Sequence, residues 1–219
     1  MQQVYWIKSS QTWTCPKAGA WKIVCVGGGA SGGMTFGGNV SALQSSGGTT
    51  SFGNLLSAPG GAAETVCTSG INCCGGYGGY DGMNYGGTPI IKVGDSTSAS
   101  SSNGGTLCGA GLGYGAGGGV GSVGQINFKN GTSQSTAHVY AVPGKCGGMT
   151  MGIFDLTLNQ SIICTVGMST KPTINASTLI QQYKKYSPNI TEIADAAAAK
   201  VAEAVTAGTA GVIYIEFLG

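Results

Sequence analysis

Residues 12–33 read TWTCPKAGAWKIVCVGGGASGG. A short strand-like run at 12–15 leads into the turn Pro16-Lys17-Ala18-Gly19. The next run, AWKIVCV at 20–26, is apolar, rich in β-branched residues, and stops abruptly at Gly27-Gly28-Gly29. A run of that kind, bounded by glycine, predicts a buried strand, and VYWIK just upstream predicts another. Residues 1–26 are therefore expected to form a β platform on which the rest of the chain is built.

From 27 to 124 the character changes. Glycine, serine, threonine and asparagine dominate, broken by short apolar islands such as TTSFGNLL, ETVC and TPIIKV. A flexible linker would have this composition, but it has no reason to carry Phe36, Phe52, Tyr77, Tyr80, Tyr85 and Tyr114. Spacing offers an alternative. Gly115, Gly118, Gly121 and Gly124 recur every third residue, as do Gly76, Gly79 and Gly82, with Tyr77, Tyr80 and Met83 in the next phase. A polyproline-II-like helix has three residues per turn and no internal hydrogen bonds. Several such helices can bond to one another where glycine lets their backbones approach. The segment is expected to be either a bundle of polyglycine-II-like helices or irregular glycine loops pinned by short strands.

After 124 β character returns. QINF and STAHVYAV flank an Asn130-Gly131 turn, a strong hairpin signal, and IFDLTL and SIICTVG flank Asn159-Gln160, predicting a second hairpin. Residues 174–207 read as a helical insertion. ASTLIQQYKKY predicts a short helix. Ser187-Pro188-Asn189 opens a longer one, with Asn189 as N-cap and Glu192 three residues on. Ile193, Ala197, Val201 and Val205 then share one helical face, a candidate docking or interface stripe among many alanines. GVIYIEF at the end predicts a closing strand beside AWKIVCV. The expected architecture is mainly β and a single domain: a β-sandwich-like platform, a glycine-rich segment at 27–124, β hairpins at 125–173, the helical insertion at 174–207 and a closing strand at 208–219.

Composition restricts function. Of 219 residues 42 are glycine, against a usual share of about 7%. Ten lysines, no arginine and eight acids give a net charge of +2, which argues against a nucleic-acid surface. No apolar run is long enough to span a membrane, and MQQVYWIKSS does not read as a secretory signal. The one histidine, His138, and the scattered acids offer little that could converge for acid–base catalysis, so no enzyme, catalytic residue, metal or cofactor is expected. GGGASGG is followed by no helical period, so it is not a dinucleotide fingerprint, and GAGLGYGAGGGVG is no phosphate-binding loop. Eight cysteines without a signal peptide read as free thiols, with some disulfides as the alternative, and Cys25 and Cys164 read as small buried hydrophobes.

Four stretches together resemble the glycine-rich domain of bacteriophage tail-fibre and other virion proteins. These are TWTCPKAGAWKIVCVGGGASGG, GGTTSFGNLLSAPGG, SIICTVG and GTAGVIYIEF, in that order across residues 12–217. Eight cysteines and the insertion at 174–207 depart from that pattern. The resemblance implies a virion structural protein, assembled in the host cytoplasm, at a tail fibre, tail tip or particle surface. It would recognise a host-surface glycan or protein and contact other virion proteins, as a homo-oligomer, with a trimer suggested by the threefold symmetry common in fibres. Adhesins at the tips of some phage fibres pack glycine-rich segments as polyglycine-II helices. On this reading Tyr77, Tyr80, Tyr85 and Tyr114 would contact the receptor, with Asp81 and Asn84 as polar companions. The alternative for the tyrosines is that they fill space between backbones without side chains. The alternative for the protein is a non-adhesive capsid or tail decoration protein whose glycine-rich part packs between subunits. An ice-binding role would need a regular threonine or alanine face, which the sequence does not display.

Overall fold

The computed structural model describes residues 3–36, 43–63, 98–102, 105–108, 113–120, 125–142, 144–185 and 187–219. Its elements in chain order are β1 (Val4–Ile7), β2 (Gln11–Thr14), β3 (Gly19–Val26), β4 (Gly33–Thr35), β5 (Thr50–Phe52), β6 (Leu56–Ala58), β7 (Ser98–Ser102), β8 (Gly105–Cys108), β9 (Gln125–Asn130), β10 (Ser133–His138), β11 (Tyr140–Val142), β12 (Met149–Leu156), β13 (Ser161–Thr165), α1 (Ala176–Tyr183), β14 (Glu192–Ile193), α2 (Asp195–Ala204) and β15 (Val212–Phe217).

The molecule is mainly β, as composition and pattern predict. Two four-stranded antiparallel sheets, ordered β1-β15-β3-β12 and β2-β13-β5-β6, enclose the first core. Alternation decides which residues enter it. Trp21, Ile23 and Cys25 of β3, Ile213 and Ile215 of β15, Trp13 of β2, and Ile162 and Cys164 of β13 all point inward. Trp13 meets Trp21 edge to face at 5.4 Å. The closing strand lies beside β3, with Tyr214 opposite Val24.

The second core is smaller. Met34 and Phe36 after β3, the β9–β10 hairpin, Leu179 of α1 and Val201 of α2 pack together, and Phe128 stacks on Tyr183 with ring centroids 4.3 Å apart. The hairpin turns at Asn130-Gly131, where Gly131 takes φ +57°. Asn175 caps α1 through a reciprocal pair of bonds with Thr178.

Two expectations about connections are corrected. The Asn159-Gln160 turn does not close a hairpin, because β12 pairs with β3 whereas β13 pairs with β2 and β5. The turn is a crossing from one sheet to the other. It is tied to the neighbouring, oppositely directed crossing at Cys15 by Asn159 N–H to Cys15 O and Cys15 N–H to Gln160 O. Helix α2 begins at Asp195 after Ala194, not at Asn189. Glu192 and Ile193 instead extend the hairpin sheet, opposite Lys129 and Phe128. Sheet pairing there outweighs the capping signal.

Between the two cores lies a hub made of main chain. Residues 27–32 are buried throughout, and their amides donate in rotation to three neighbours. Gly27 and Ala30 bond to 145–148, Gly28 and Ser31 to 45–48, and Gly29 and Gly32 to 206–209, all at 2.7–2.9 Å. A donor direction that repeats every third residue is the signature of a three-residue turn. Gly61 N–H and Gly118 N–H donate inward to Gly28 O and Ala30 O, and Gly167 lies against Gly28. The ring closes around 27–32. Segment 144–148 bonds to 115–119 and to Pro59, 45–48 to Gly61 and Met168, and 206–211 to Gly167 and 115–119. The registers make neighbouring ring segments run in alternating directions. Polyglycine-II-like packing is thus present, but it draws on residues far beyond 27–124.

The triplet at 115–124 conforms only in part. Gly115 takes φ +72°, the one hub glycine among the described residues with a positive φ, while Gly121 and Gly124 lie outside the described residues, as do Gly76, Gly79 and Gly82.

Candidate functional site

The outer face of the first sheet carries an aromatic patch. In β1, Tyr5 and Ile7 face the core, so alternation turns Val4 and Trp6 outward. Trp6 is opposite Tyr214, Tyr214 opposite Val24, and Val24 opposite Met151, one row across four strands. The next row carries Val4, Glu216, Lys22 and Ile153. Trp6 remains 39% exposed. It meets Tyr214 edge to face at 5.0 Å and stacks on Tyr114 with centroids 6.1 Å apart.

Tyr114 is placed by the hub. It immediately precedes Gly115, whose N–H donates to Ala210 O, and Thr209 of that segment also holds Gly113 O. Lys8 Nζ lies 5.8 Å from the Tyr114 centroid, and Lys22 Nζ lies 6.0 Å from that of Tyr214 and 3.5 Å from a Glu216 carboxylate oxygen. Burial pushes the Tyr214 hydroxyl up to about 12, aided by its hydrogen bond to Glu216 and that carboxylate's charge. The phenol therefore stays a neutral donor. Tyr214 and Glu216 are themselves buried, so the patch offers the Trp6 ring, the half-buried Tyr114 ring and the ammonium groups of Lys8 and Lys22. Such a surface can stack on a planar or C–H-rich ligand face and attract electron-rich groups.

Of the residues singled out from sequence, Tyr114 belongs to this patch. Tyr77, Tyr80, Asp81, Asn84 and Tyr85 lie outside the described residues. The proposed docking stripe is not one helical face. Ile193 is in β14, Ala197 and Val201 pack into the second core, and Val205 pairs with Val120 just after α2. Val201 and Val205 are fully buried, so this chain's own core occupies that side of the helix. Trp6 was missed from sequence, although the phase of VYWI, with Tyr5 and Ile7 inward, could have marked it.

Of the four cysteines with described side chains, Cys15, Cys25 and Cys164 are free thiols, and all four, Cys146 included, are buried. No group of three or more potential metal-ligating side chains occurs among the described residues, and no described helix is long and apolar enough to cross a membrane. Comparison of the chain with family models, curated proteins and solved structures yields no match.

Proposed function

We propose that this chain is a bacteriophage virion structural protein, without enzymatic activity, that contributes to host attachment at a tail fibre, tail tip or particle surface. The observation that carries this reading is the Trp6–Tyr114 stack, an aromatic pair left accessible on a sheet and tied directly to the hub. Aromatic rings fixed on rigid backbone give large contact area at low entropic cost. The hub supplies rigidity because the chain threads it repeatedly, and it holds both 59–61 and 115–119. The receptor contacts we propose are Tyr114 together with Tyr77, Tyr80, Asp81, Asn84 and Tyr85. The ligand is a host-surface glycan or protein.

The test is adsorption. Labelled protein is applied to a panel of bacterial strains, followed by competition with phage whose particles carry this chain. Saturable binding that blocks phage adsorption, weakened at least tenfold by Trp6→Ala with Tyr114→Ala, is expected. Failure to bind or compete at saturating protein overturns the attachment role.

A second reading is favoured by one observation. Met151 and Ile153 on β12 are each 63% exposed on the same sheet face, an apolar pair suited to contact with another virion subunit or a second copy of this chain. In a decoration protein this contact, and not the aromatic patch, would be the principal one.

A further inference from the structure

The second sheet presents a different outer face. Thr12 and Thr14 of β2, Ser161, Ile163 and Thr165 of β13, and Ser57 of β6 are exposed there. Register sets Thr14 beside Ser161, Thr12 beside Ile163, and Thr165 beside Ser51. A solvated strand face ordinarily carries lysine and glutamate, which also protect against unwanted strand pairing. None of these positions is charged.

A shallow groove of about 440 Å³ lies beside β13 and the β5–β6 turn, within the volume range of small-ligand sites. Leu55 and Ile163 are its exposed apolar side chains, Ile163 at 70%. Asn54, Gln160, Ser161 and Thr165 also line it. Gln160 Oε1 accepts from the Thr157 N–H and hydroxyl, and its amide N–H groups donate to no described residue. The side chains of Asn54, Ser161 and Thr165 likewise have no hydrogen-bond partner among the described residues.

We propose that this groove is a binding site for an uncharged saccharide chain. Such a ligand has C–H faces that fit Leu55 and Ile163 and hydroxyls that exchange hydrogen bonds with the amide and hydroxyl side chains around them. A charged ligand would lose hydration here without meeting an opposite charge. As a route to the host this rests on the attachment reading, whereas binding itself does not.

The experiment titrates the whole chain with maltohexaose, cellohexaose and mannohexaose, and with a hexagalacturonate as acidic control. At least one neutral hexasaccharide is expected to bind, at least tenfold weaker to Ile163→Arg and to Asn54→Ala/Thr165→Val, and equally well to Lys200→Ala on the exposed side of α2. Thermal melts confirm that each variant is folded. Absence of binding to every neutral saccharide, preference for the acidic one, or binding unchanged in folded groove variants overturns the proposal. Cell adsorption separates the two claims. Wild-type adsorption that Ile163→Arg does not weaken removes the groove from host recognition and leaves attachment standing. Saccharide binding without adsorption keeps the groove and removes attachment.

Discussion

The sandwich core and the glycine hub solve the same problem with opposite materials. The core joins two sheets through side chains, with Trp13 packed against both Trp21 and Phe52, and its strand-to-strand backbone bonds stay within each sheet. The hub is glycine-rich, and most of its cohesion lies in amide-to-carbonyl bonds between segments that are distant in sequence. Six strands of the two sheets run directly into it: β3 at Gly27, β5 from Gly48, β6 at Pro59, β12 from Gly148, β13 at Val166 and β15 from Gly211. A core tolerates changes of shape because side chains repack. A hub of main chain has nothing that can repack.

The largest effect should therefore come from the smallest substitution. A Cβ at Gly29 would fall on Ala116 O, and one at Gly117 on Gly144 O, far inside van der Waals contact. The Cα–H standing in that place points at the carbonyl, a weak bond repeated around the ring. Gly29→Ala and Gly117→Ala are each expected to cost about 4 kcal/mol or more, the range reserved for severe overpacking. Gly131→Ala, with open space but φ +57°, should cost about 1 kcal/mol. Chemical denaturation of the three variants checks this ordering, and equal costs would mean that the hub can yield.

Alkaline titration separates the regions by chemistry. Burial first, and then the charge of Cys164, pushes the Cys25 thiol from 9.0 up to about 12, while burial pushes Cys164 up to about 11. Above pH 9 the unfolded chain releases both protons while the folded chain keeps them. Stability is therefore full below pH 9 and falls as pH rises from 9 toward 11. The slope is roughly 1.4 kcal/mol per pH unit for each thiol. Cys25→Ala/Cys164→Ala should lower stability at neutral pH yet flatten that decline. Denaturant midpoints measured from pH 8 to 11 on both proteins decide it, and parallel curves would remove the two thiols as the cause.

The sequence made the strands legible as short apolar, β-branched runs bounded by glycine, such as AWKIVCV at 20–26. It made the triplet geometry of glycine legible in principle. What it hid was partnership. SIICTVG looks like the second half of a hairpin until Cys164 is found opposite Phe52, and Asn189 looks like a cap until Ile193 is found opposite Phe128. Hub segments such as 45–48 and 166–168 carry no periodic pattern of their own. Their one shared mark, glycine abutting a strand end, has meaning only when the strands are already assembled. Trp6 shows the same limit, since its partner Tyr114 lies more than a hundred residues on, near the end of the glycine-rich stretch.

A smaller effect is expected where the ring needs side chains. Segment 115–119 has amides that face no ring carbonyl, and side chains replace the missing acceptors. Ala116 N–H donates to Thr209 Oγ1, Gly117 N–H to Cys146 Sγ, and Gly119 N–H to Thr206 Oγ1 at 2.7 Å. Thr206→Val keeps the shape and leaves a buried amide unpaired, at a cost of about 1–3 kcal/mol. Thr206→Ser should restore most of it. Hydrogen exchange at Gly119 gives a local reading, and protection unchanged by the valine would show that water serves equally well there.

The mildest change tests whether the two cores share the hub's fate. Asn175 accepts from Thr178 N–H and Thr178 Oγ1 accepts from Asn175 N–H, both at 2.9 Å, in an exposed cap at the start of α1. Asn175→Ala should cost about 1 kcal/mol and lower the melting temperature by roughly 2–4 °C. If α1 opens locally, exchange accelerates in 176–183 while the amides of 27–32 keep their protection. If protection at 27–32 falls by the same free energy, the second core and the hub unfold together, and the threading of one chain through both is what couples them.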